Sequence, residues 1–207
     1  MKVLIINGSP HPKGSTYTAL HEVEKILLEE GIETKWVNVS PATSSCLDCD
    51  YCGKNDGCVR KDQVNETYPL LDESDGLLIG SPVYYAGMNG ALKSFLDRLF
   101  ISYPNRKTLN LKAAASLSCS RRAGNLTTND AINKFFSISG MTIITSTYWN
   151  DPHGNYPEEV ITDEEGLQTL RNLGRNMAYY LKMREAAKEK GLPEPVVEKG
   201  HHTNFVR

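Results

Sequence analysis

The fold of this chain is decided by residues 3–16, VLIINGSPHPKGST. Residues 3–7 form an apolar run ending at Asn7, as expected for a strand that is buried on both faces of a parallel sheet. A loop of small and hydroxyl-bearing residues follows, and Thr16 opens a helix whose apolar residues recur on one face until Gly31 ends it. A strand, a loop and a helix in this order predict the first part of a βαβ unit.

The same alternation of short β-rich runs and helical runs continues along the chain, which is typical of a parallel sheet covered by helices. We therefore predict an α/β protein, a three-layer α/β/α sandwich with a five-stranded parallel sheet. In the flavodoxin-like strand order 2-1-3-4-5, a ligand binds at the carboxyl ends of the strands beside the switch point. The predicted strands are Val3–Asn7, Thr34–Val39, Gly76–Gly80, Ala113–Ser118 and Met141–Thr147, and the predicted helices are Thr16–Glu30, Val64–Leu71, Asn89–Phe100, Asn129–Ile138 and Thr162–Lys190.

Length and composition narrow the class of protein. The chain has 207 residues, 40% of them hydrophobic, and a net charge of −2. We expect one domain over residues 1–190 and a C-terminal extension over 191–207 that runs over the surface or onto a neighbouring subunit. The charge argues against nucleic acid and anionic membranes as partners. No apolar run approaches the roughly 18–20 residues of a membrane-spanning helix, and the first strand is too short for a signal peptide. We therefore expect a cytoplasmic protein.

The first loop, Ser9–Thr16, has the composition of a phosphate site. It lies where a helix N-terminus presents free N–H groups, and those donors and the helix dipole favour an anion. An ordinary turn with Ser15 or Thr16 as the helix cap is the alternative. A dinucleotide fingerprint is excluded by the glycine spacing, and a triphosphate loop by the place of the lysine before Gly14. The candidate ligands are Ser9, His11, Lys13, Ser15 and Thr16.

The second loop, Ser81–Met88, follows the third predicted strand. Pro82 and Gly87 restrict its backbone, and two adjacent tyrosines offer a surface on which a flat ring lies. Core or interface aromatics are the alternative. The candidate residues are Pro82, Val83, Tyr84, Tyr85, Gly87 and Met88.

The third loop, Ser118–Asn125, follows the fourth strand and brings arginines to the same edge, where they neutralise an anionic ligand; solvent-exposed arginines are the alternative. Cys119 is expected to be a small buried residue. Since all three loops follow parallel strands, they open onto one cleft. The candidates here are Ser118, Ser120, Arg121 and Gly124.

These motifs resemble the NADPH-dependent FMN reductase family. The resemblance is most specific in residues 81–87 running into 92–98, and extends to residues 8–10, 14–16, 148–150, 153–154, 165–171 and 203–205. It implies that the residues named in the three loops bind FMN, that NAD(P)H is a co-substrate, and that the protein is a homodimer or homotetramer. It also implies that a partner subunit completes the flavin pocket, for which Trp149 and Asn150 are candidates. The flavin carries the chemistry, so no catalytic side chain is predicted.

A cysteine-rich loop interrupts the alternating pattern with the spacing C-x2-C-x2-C-x5-C, formed by Cys46, Cys49, Cys52 and Cys58. Four thiolates so close in sequence are able to bind a [4Fe–4S] cluster, and the motif resembles that of the iron–sulfur flavoproteins, a branch of the same family. A zinc site and free or reversibly oxidised thiols are the alternatives.

Three functional hypotheses follow. The leading one is an FMN-dependent oxidoreductase that passes electrons from NAD(P)H through the flavin to a quinone, another small acceptor or a redox protein. The second is an iron–sulfur and flavin electron-transfer protein without NAD(P)H turnover. The third is a flavodoxin-like binding or signalling domain with an empty cleft.

Overall fold

The computed structural model describes residues 1–198, 201 and 203. Part of the predicted extension 191–207, including Asn204 and Phe205, therefore lies outside the described residues. The strands are β1 Lys2–Asn7, β2 Glu33–Asn38, β3 Gly76–Tyr84, β4 Gly87–Met88, β5 Ala113–Cys119 and β6 Thr142–Ile143. The helices are α1 Ser15–Glu29, α2 Tyr51–Lys54, α3 Gln63–Asp72, α4 Gly90–Ser102, α5 Asn125–Ile138, α6 Pro157–Val160 and α7 Glu164–Glu189, with a 3-10 helix at Arg106–Leu109.

The parallel strands lie in the order β2-β1-β3-β5-β6. With β4 set aside, this is the predicted order 2-1-3-4-5, and the prediction is confirmed. Strand β4 was not predicted. It pairs antiparallel with the end of β3, Val83 opposite Met88, and so turns the second loop into a hairpin.

Two hydrophobic layers cover the two faces of the sheet. On one face, Leu4 and Ile6 of β1 pack into a cluster with Phe95 of α4 and with residues of α3 and α5. On the other face, Val3 and Ile5 pack with residues of α1 and α7. These four side chains of β1 are fully buried, which explains why the strand is apolar at successive positions rather than at alternate ones.

Three predicted boundaries are wrong. The third strand was expected to end at Gly80, but β3 continues to Tyr84. The last strand was expected over Met141–Thr147, but only Thr142–Ile143 pairs with β5. Beyond it the chain leaves the sheet, and the Asn150 carbonyl oxygen accepts the hydrogen bond from the Ser118 N–H of β5 at 3.1 Å. Helix α5 starts at Asn125 rather than Asn129, because Gly124 in the left-handed region (φ 98°) begins it one turn earlier.

None of the helices in the described part of the chain is both long enough and apolar enough to cross a membrane.

Candidate functional site

A cleft of about 690 Å³ lies at the carboxyl edge of the sheet, in the size range of small-molecule sites. The loop after β1, the carboxyl end of β3 and the loop after β5 line it, at the edge that the strand order predicts. Ten of the predicted residues line this cleft: Ser9, His11, Lys13, Ser15, Thr16, Pro82, Val83, Tyr84, Ser120 and Arg121.

The other five predicted residues of the three loops do not line the cleft. Tyr85 is fully exposed at the hairpin tip, and Gly87 and Met88 form β4. Ser118 is fully buried, and its hydroxyl donates to the Asn125 carbonyl oxygen at 3.1 Å. Gly124 lies behind the cleft wall. Contact of any of the fifteen residues with FMN stays a prediction.

The N-terminus of α1 opens into the cleft without a side-chain cap. Gly14 is the N-cap residue, and no side chain of the described residues accepts from the first turn. The first helical hydrogen bond runs from the Thr18 N–H to the Gly14 carbonyl oxygen at 3.0 Å. The backbone N–H groups of Ser15, Thr16 and Tyr17 therefore have no partner within the described structure, and free donors at a helix N-terminus favour an anion.

Three other helices of the described chain are capped by a side chain, whereas α2, α5 and α6 are not. Asp62 accepts from the first turn of α3, Asn89 from that of α4 and Asp163 from that of α7. Helix α1 thus differs from them at the very place where the first loop meets the cleft.

The first loop bonds three of its other N–H groups internally. Asn7 is fully buried, and its Oδ1 accepts from the Ser9 N–H at 3.0 Å. The Ser9 hydroxyl accepts from the His11 N–H at 3.1 Å, and the His11 carbonyl oxygen accepts from the Gly14 N–H at 3.1 Å. These bonds shape the loop, and its N–H groups without a described partner are those of Lys13 and of the helix end.

The second wall is the β3–β4 hairpin with Pro82, Val83 and Tyr84. Gly124 supports this wall from behind, since a Cβ atom there would lie 2.7 Å from Val83 Cγ1. Tyr85 adopts a left-handed backbone (φ 59°) at the hairpin tip, a conformation that is strained for a bulky residue.

The third wall is stiffened by a buried polar network. The Ser120 hydroxyl donates to Asn125 Oδ1 at 2.5 Å, and Asn125 Nδ2 donates to the Ser118 carbonyl oxygen at 2.8 Å. Arg121 is exposed at the rim. Cys119 is buried as predicted, and burial raises the pKa of its thiol.

A fourth segment, 154–157, also lines the cleft and was not among the predicted site residues. The Gly154 N–H donates to the Ser120 carbonyl oxygen at 2.9 Å, which attaches this segment to the third loop. Asp163 Oδ2 accepts from the His153 N–H at 2.8 Å. The resemblance of residues 153–154 to the family was the only signal in the sequence, and it gave no position in space.

The four cysteines of the cysteine-rich loop line one separate pocket of about 160 Å³. Cys46 and Cys49 are exposed, Cys52 and Cys58 are partly buried, and none of the described cysteines forms a disulfide. The pocket rests on Arg98 and Ser102 of α4. These residues lie 8 and 12 positions after the start of α4 at Gly90. At 1.5 Å per residue the pocket therefore lies roughly 12–18 Å along α4 from its N-terminus.

Arg98 is the central side chain of the wall behind this pocket. Its side chain is only 1% exposed and forms a two-pronged ion pair with Asp62, at 2.8 and 2.9 Å. Its Nε and Nη2 atoms also donate to Cys58 Sγ, both at 3.4 Å. Burial raises the pKa of Asp62, but the hydrogen bonds from Arg98 and the Val64 N–H outweigh burial and lower this pKa below its ordinary value.

The four thiols around the pocket are of the ligand type that both an iron–sulfur cluster and a zinc site use. Among residues 1–198, 201 and 203, no three His, Cys, Asp or Glu side chains converge enough to hold one metal ion. A four-iron cluster takes four thiolate ligands, and four cysteines line this pocket, so the donor set fits such a cluster. Binding of a cluster or of zinc stays a prediction. Arg60 lines the pocket and its buried Nε has no described partner, so it is available to a sulfur acceptor.

Trp149 and Asn150 do not line the cleft of their own chain. They belong to a pocket of about 320 Å³ beside α5 and β6. Asn150 replaces the missing part of the edge strand, because its Nδ2 donates to the Ser116 carbonyl oxygen at 3.0 Å. Trp149 is 57% exposed.

The parallel sheet with a ligand cleft at its strand ends defines a flavodoxin-like protein. Two solved structures share this fold. A flavodoxin from the domain Archaea has a TM-score of 0.59 over 88% of this chain and 99% of its own, at 16% identity. RosB with its bound 8-demethyl-8-formylriboflavin-5'-phosphate intermediate has a TM-score of 0.70 over 100% of this chain and 94% of its own, at 18% identity.

Sequence comparison gives the family. The model of the NADPH-dependent FMN reductase family matches residues 1–155. An iron–sulfur flavoprotein of Methanocaldococcus jannaschii is 34% identical over 193 residues, which cover 88% of this chain and 98% of that protein. The chain belongs to the NADPH-dependent FMN reductase family, a family of flavin-binding oxidoreductases, and the resemblance seen in its motifs is confirmed.

Proposed function

We propose that this protein is an FMN-dependent oxidoreductase that uses NAD(P)H and reduces a quinone or another small acceptor. The observation that carries the proposal is the uncapped N-terminus of α1 in a cleft lined by the ends of three parallel strands. FMN, when bound, accepts hydride from NAD(P)H and returns the electrons to the acceptor.

The first loop is proposed to hold the phosphate. The free N–H groups of Ser15, Thr16 and Tyr17 point out of the helix end, and the helix dipole adds a favourable field for the anion. Lys13 and His11 line the same part of the cleft and supply hydrogen-bond donors. The protein thus binds the flavin at its phosphate end and needs no metal ion there.

The other walls are proposed to hold the ring. Tyr84 is 45% exposed in the described structure, so its ring has free surface to offer to a flat ligand. Pro82 and Val83 form the apolar wall beside it. Arg121, across the cleft, places a positive charge where it stabilises a flavin that has gained negative charge.

We further propose that Cys46, Cys49, Cys52 and Cys58 bind a [4Fe–4S] cluster. All four line one pocket beside a buried arginine, and the name of the M. jannaschii relative fits such a cofactor. A cluster supplies one-electron exchange. The same observation favours the second candidate function, an electron-transfer protein that exchanges electrons with redox partners and does not turn over NAD(P)H.

The proposed assembly is a homodimer or homotetramer working in the cytoplasm. Exposed aromatics at and near the carboxyl edge support an interface there, above all Tyr85 in its strained conformation and Trp149. None of the five described cysteines forms a disulfide, which suits a reducing compartment.

Steady-state oxidation of NADH and NADPH by the FMN-loaded protein, with a quinone acceptor, separates the two functions. The oxidoreductase proposal expects turnover that depends on FMN and on the acceptor. Absence of turnover with quinone, nitro-compound, ferric and protein acceptors, in a protein whose flavin is reduced by dithionite, would contradict it and leave the electron-transfer function.

A further inference from the structure

The four cysteines are held very unequally. Cys58 is fixed at three points: its N–H donates to Tyr68 Oη at 3.0 Å, its carbonyl oxygen accepts from Asn65 Nδ2 at 3.0 Å, and its sulfur accepts from Arg98. Cys46 Sγ accepts only from the Asp48 N–H, at 3.4 Å, within the described structure. One corner of the pocket is therefore preformed.

Arg98 connects that corner to the rest of the loop. Its Nη1 donates to the Ser44 carbonyl oxygen at 3.4 Å, and its Nη2 donates to the Arg60 carbonyl oxygen at 3.3 Å. Together with its bonds to Asp62 and Cys58, the guanidinium group therefore forms hydrogen bonds with four residues between positions 44 and 62. A lysine has neither the planar fork nor enough donors in fixed directions to replace it.

The charge of Arg98 is buried against a single carboxylate, and Nε and Nη2 face sulfur. Hydrogen bonds to cluster sulfurs and to their cysteine ligands are among the features that set the reduction potential of an iron–sulfur centre. A charged donor beside sulfur stabilises the form with one more electron, because that form is one unit more negative.

We propose that Arg98 is a positioning residue for the cysteine pocket, which holds Cys58 in place and raises the reduction potential of the centre bound there. The inference deepens the proposed function and rests on it, because the centre concerned is the proposed cluster.

The variants separate hydrogen bonding from charge. Arg98→Met removes both, Arg98→Lys keeps a positive charge without the fork, and Lys61→Met removes an exposed positive charge from the same loop as a matched control. The full-length chain is purified and reconstituted anaerobically, its iron and sulfide are measured, and its midpoint potential is determined by titration with dithionite as the electron donor. Hydrogen exchange of residues 44–62 is measured on the cluster-free, reduced chain.

The expected result for Arg98→Met is a tenfold or larger loss in the equilibrium constant for one-electron reduction, which is 59 mV for a one-electron couple. The midpoint potential of Arg98→Lys is expected to fall by a smaller amount, and that of Lys61→Met to stay close to the wild-type value. Exchange across residues 44–62 should be at least tenfold faster in Arg98→Met. Where the methionine variant does not fold, the lysine variant decides.

Two failures are distinguishable. A wild-type chain that takes up no iron and sulfide would show that the proposed cluster is wrong. The proposed effect of Arg98 on the reduction potential would then be wrong as well. An iron-loaded Arg98 variant with unchanged potential and unchanged exchange, or a Lys61→Met variant with an equal shift, would overturn the role of Arg98 alone.

Discussion

The cleft and the cysteine pocket of this protein are built in different ways. The cleft is a product of topology, because β1, β3 and β5 end at one edge of the sheet and their loops meet there. The cysteine pocket is a product of side chains, because an inserted loop is held against α3 and α4 by Arg98, Asp62 and Tyr68. The position of the cleft therefore follows from strand order, while the cysteine pocket depends on a few buried polar contacts.

The two sites also face different cofactor chemistry. The cleft presents helix N–H donors, which suit a phosphate, whereas the pocket presents thiols and a buried guanidinium. Since the two sites share no lining residue, we expect that each is damaged by substitutions that leave the other intact. Substitutions at each site test this independence.

Ser15→Asp should abolish tight FMN binding. The new carboxylate would lie in the first turn of α1, where it satisfies the helix dipole and repels the phosphate. We expect FMN affinity to fall about a hundredfold, which is roughly 2.8 kcal/mol, with thermal stability unchanged or raised. Fluorescence titration with FMN and with riboflavin, which lacks the phosphate, measures the effect.

The matched control is Ser15→Asn, which has nearly the same shape without the charge. It should keep FMN affinity within a few fold, and riboflavin affinity should be similar in all three proteins. Equal loss of FMN and riboflavin binding in Ser15→Asp would place the phosphate elsewhere.

Gly124→Ala should displace the wall that holds Val83. Gly124 has φ 98°, and an added Cβ would lie 2.7 Å from Val83 Cγ1, so we expect a stability loss of about 1–2 kcal/mol and an FMN affinity about tenfold lower. Gly31→Ala is the control, since Gly31 has φ 77° with no atom within 4 Å of an added Cβ. It should lose stability from backbone strain alone and keep its FMN affinity. Weaker FMN binding in both variants would contradict a local effect at the wall.

Tyr68→Phe should weaken the cysteine pocket slightly. The lost hydroxyl accepts from the Cys58 N–H and shares a 2.6 Å hydrogen bond with Ser102 Oγ, so stability should fall by about 1 kcal/mol and iron retention should fall with it. Tyr103→Phe is the control, because the Tyr103 hydroxyl bonds to Asp72 away from the cysteines. It should lose stability without losing iron. Lower FMN affinity in Tyr68→Phe would show that the two sites are coupled.

Much of the fold was predictable because its signals are local. The apolar run at residues 3–7 and the alternation with helices led to the confirmed strand order. The last strand was predicted too long, because no pattern in residues 144–147 indicates that Asn150 forms the hydrogen bonds to the end of β5. The β3–β4 hairpin was missed because a two-residue strand has no periodicity.

The residues of the candidate site likewise differ in whether a local sequence pattern indicates them. Residues directly after strands were brought together in one cleft, as the topology requires. Segment 154–157 reaches the cleft through a backbone bond to Ser120, and Arg98 reaches Cys58 across 40 positions of sequence. Such contacts depend on tertiary packing. The sequence shows that Arg98 is present, and only the packed structure shows that it is buried against Asp62.

Flavin, iron and sulfide analysis after anaerobic purification is the direct test for two separate centres. It compares the wild-type chain with a variant that has serine at all four positions Cys46, Cys49, Cys52 and Cys58. We predict that the wild type holds FMN together with iron and sulfide, and that the variant holds FMN alone with unchanged affinity. Loss of FMN together with the iron in the variant, or a wild-type chain without FMN, would contradict the account.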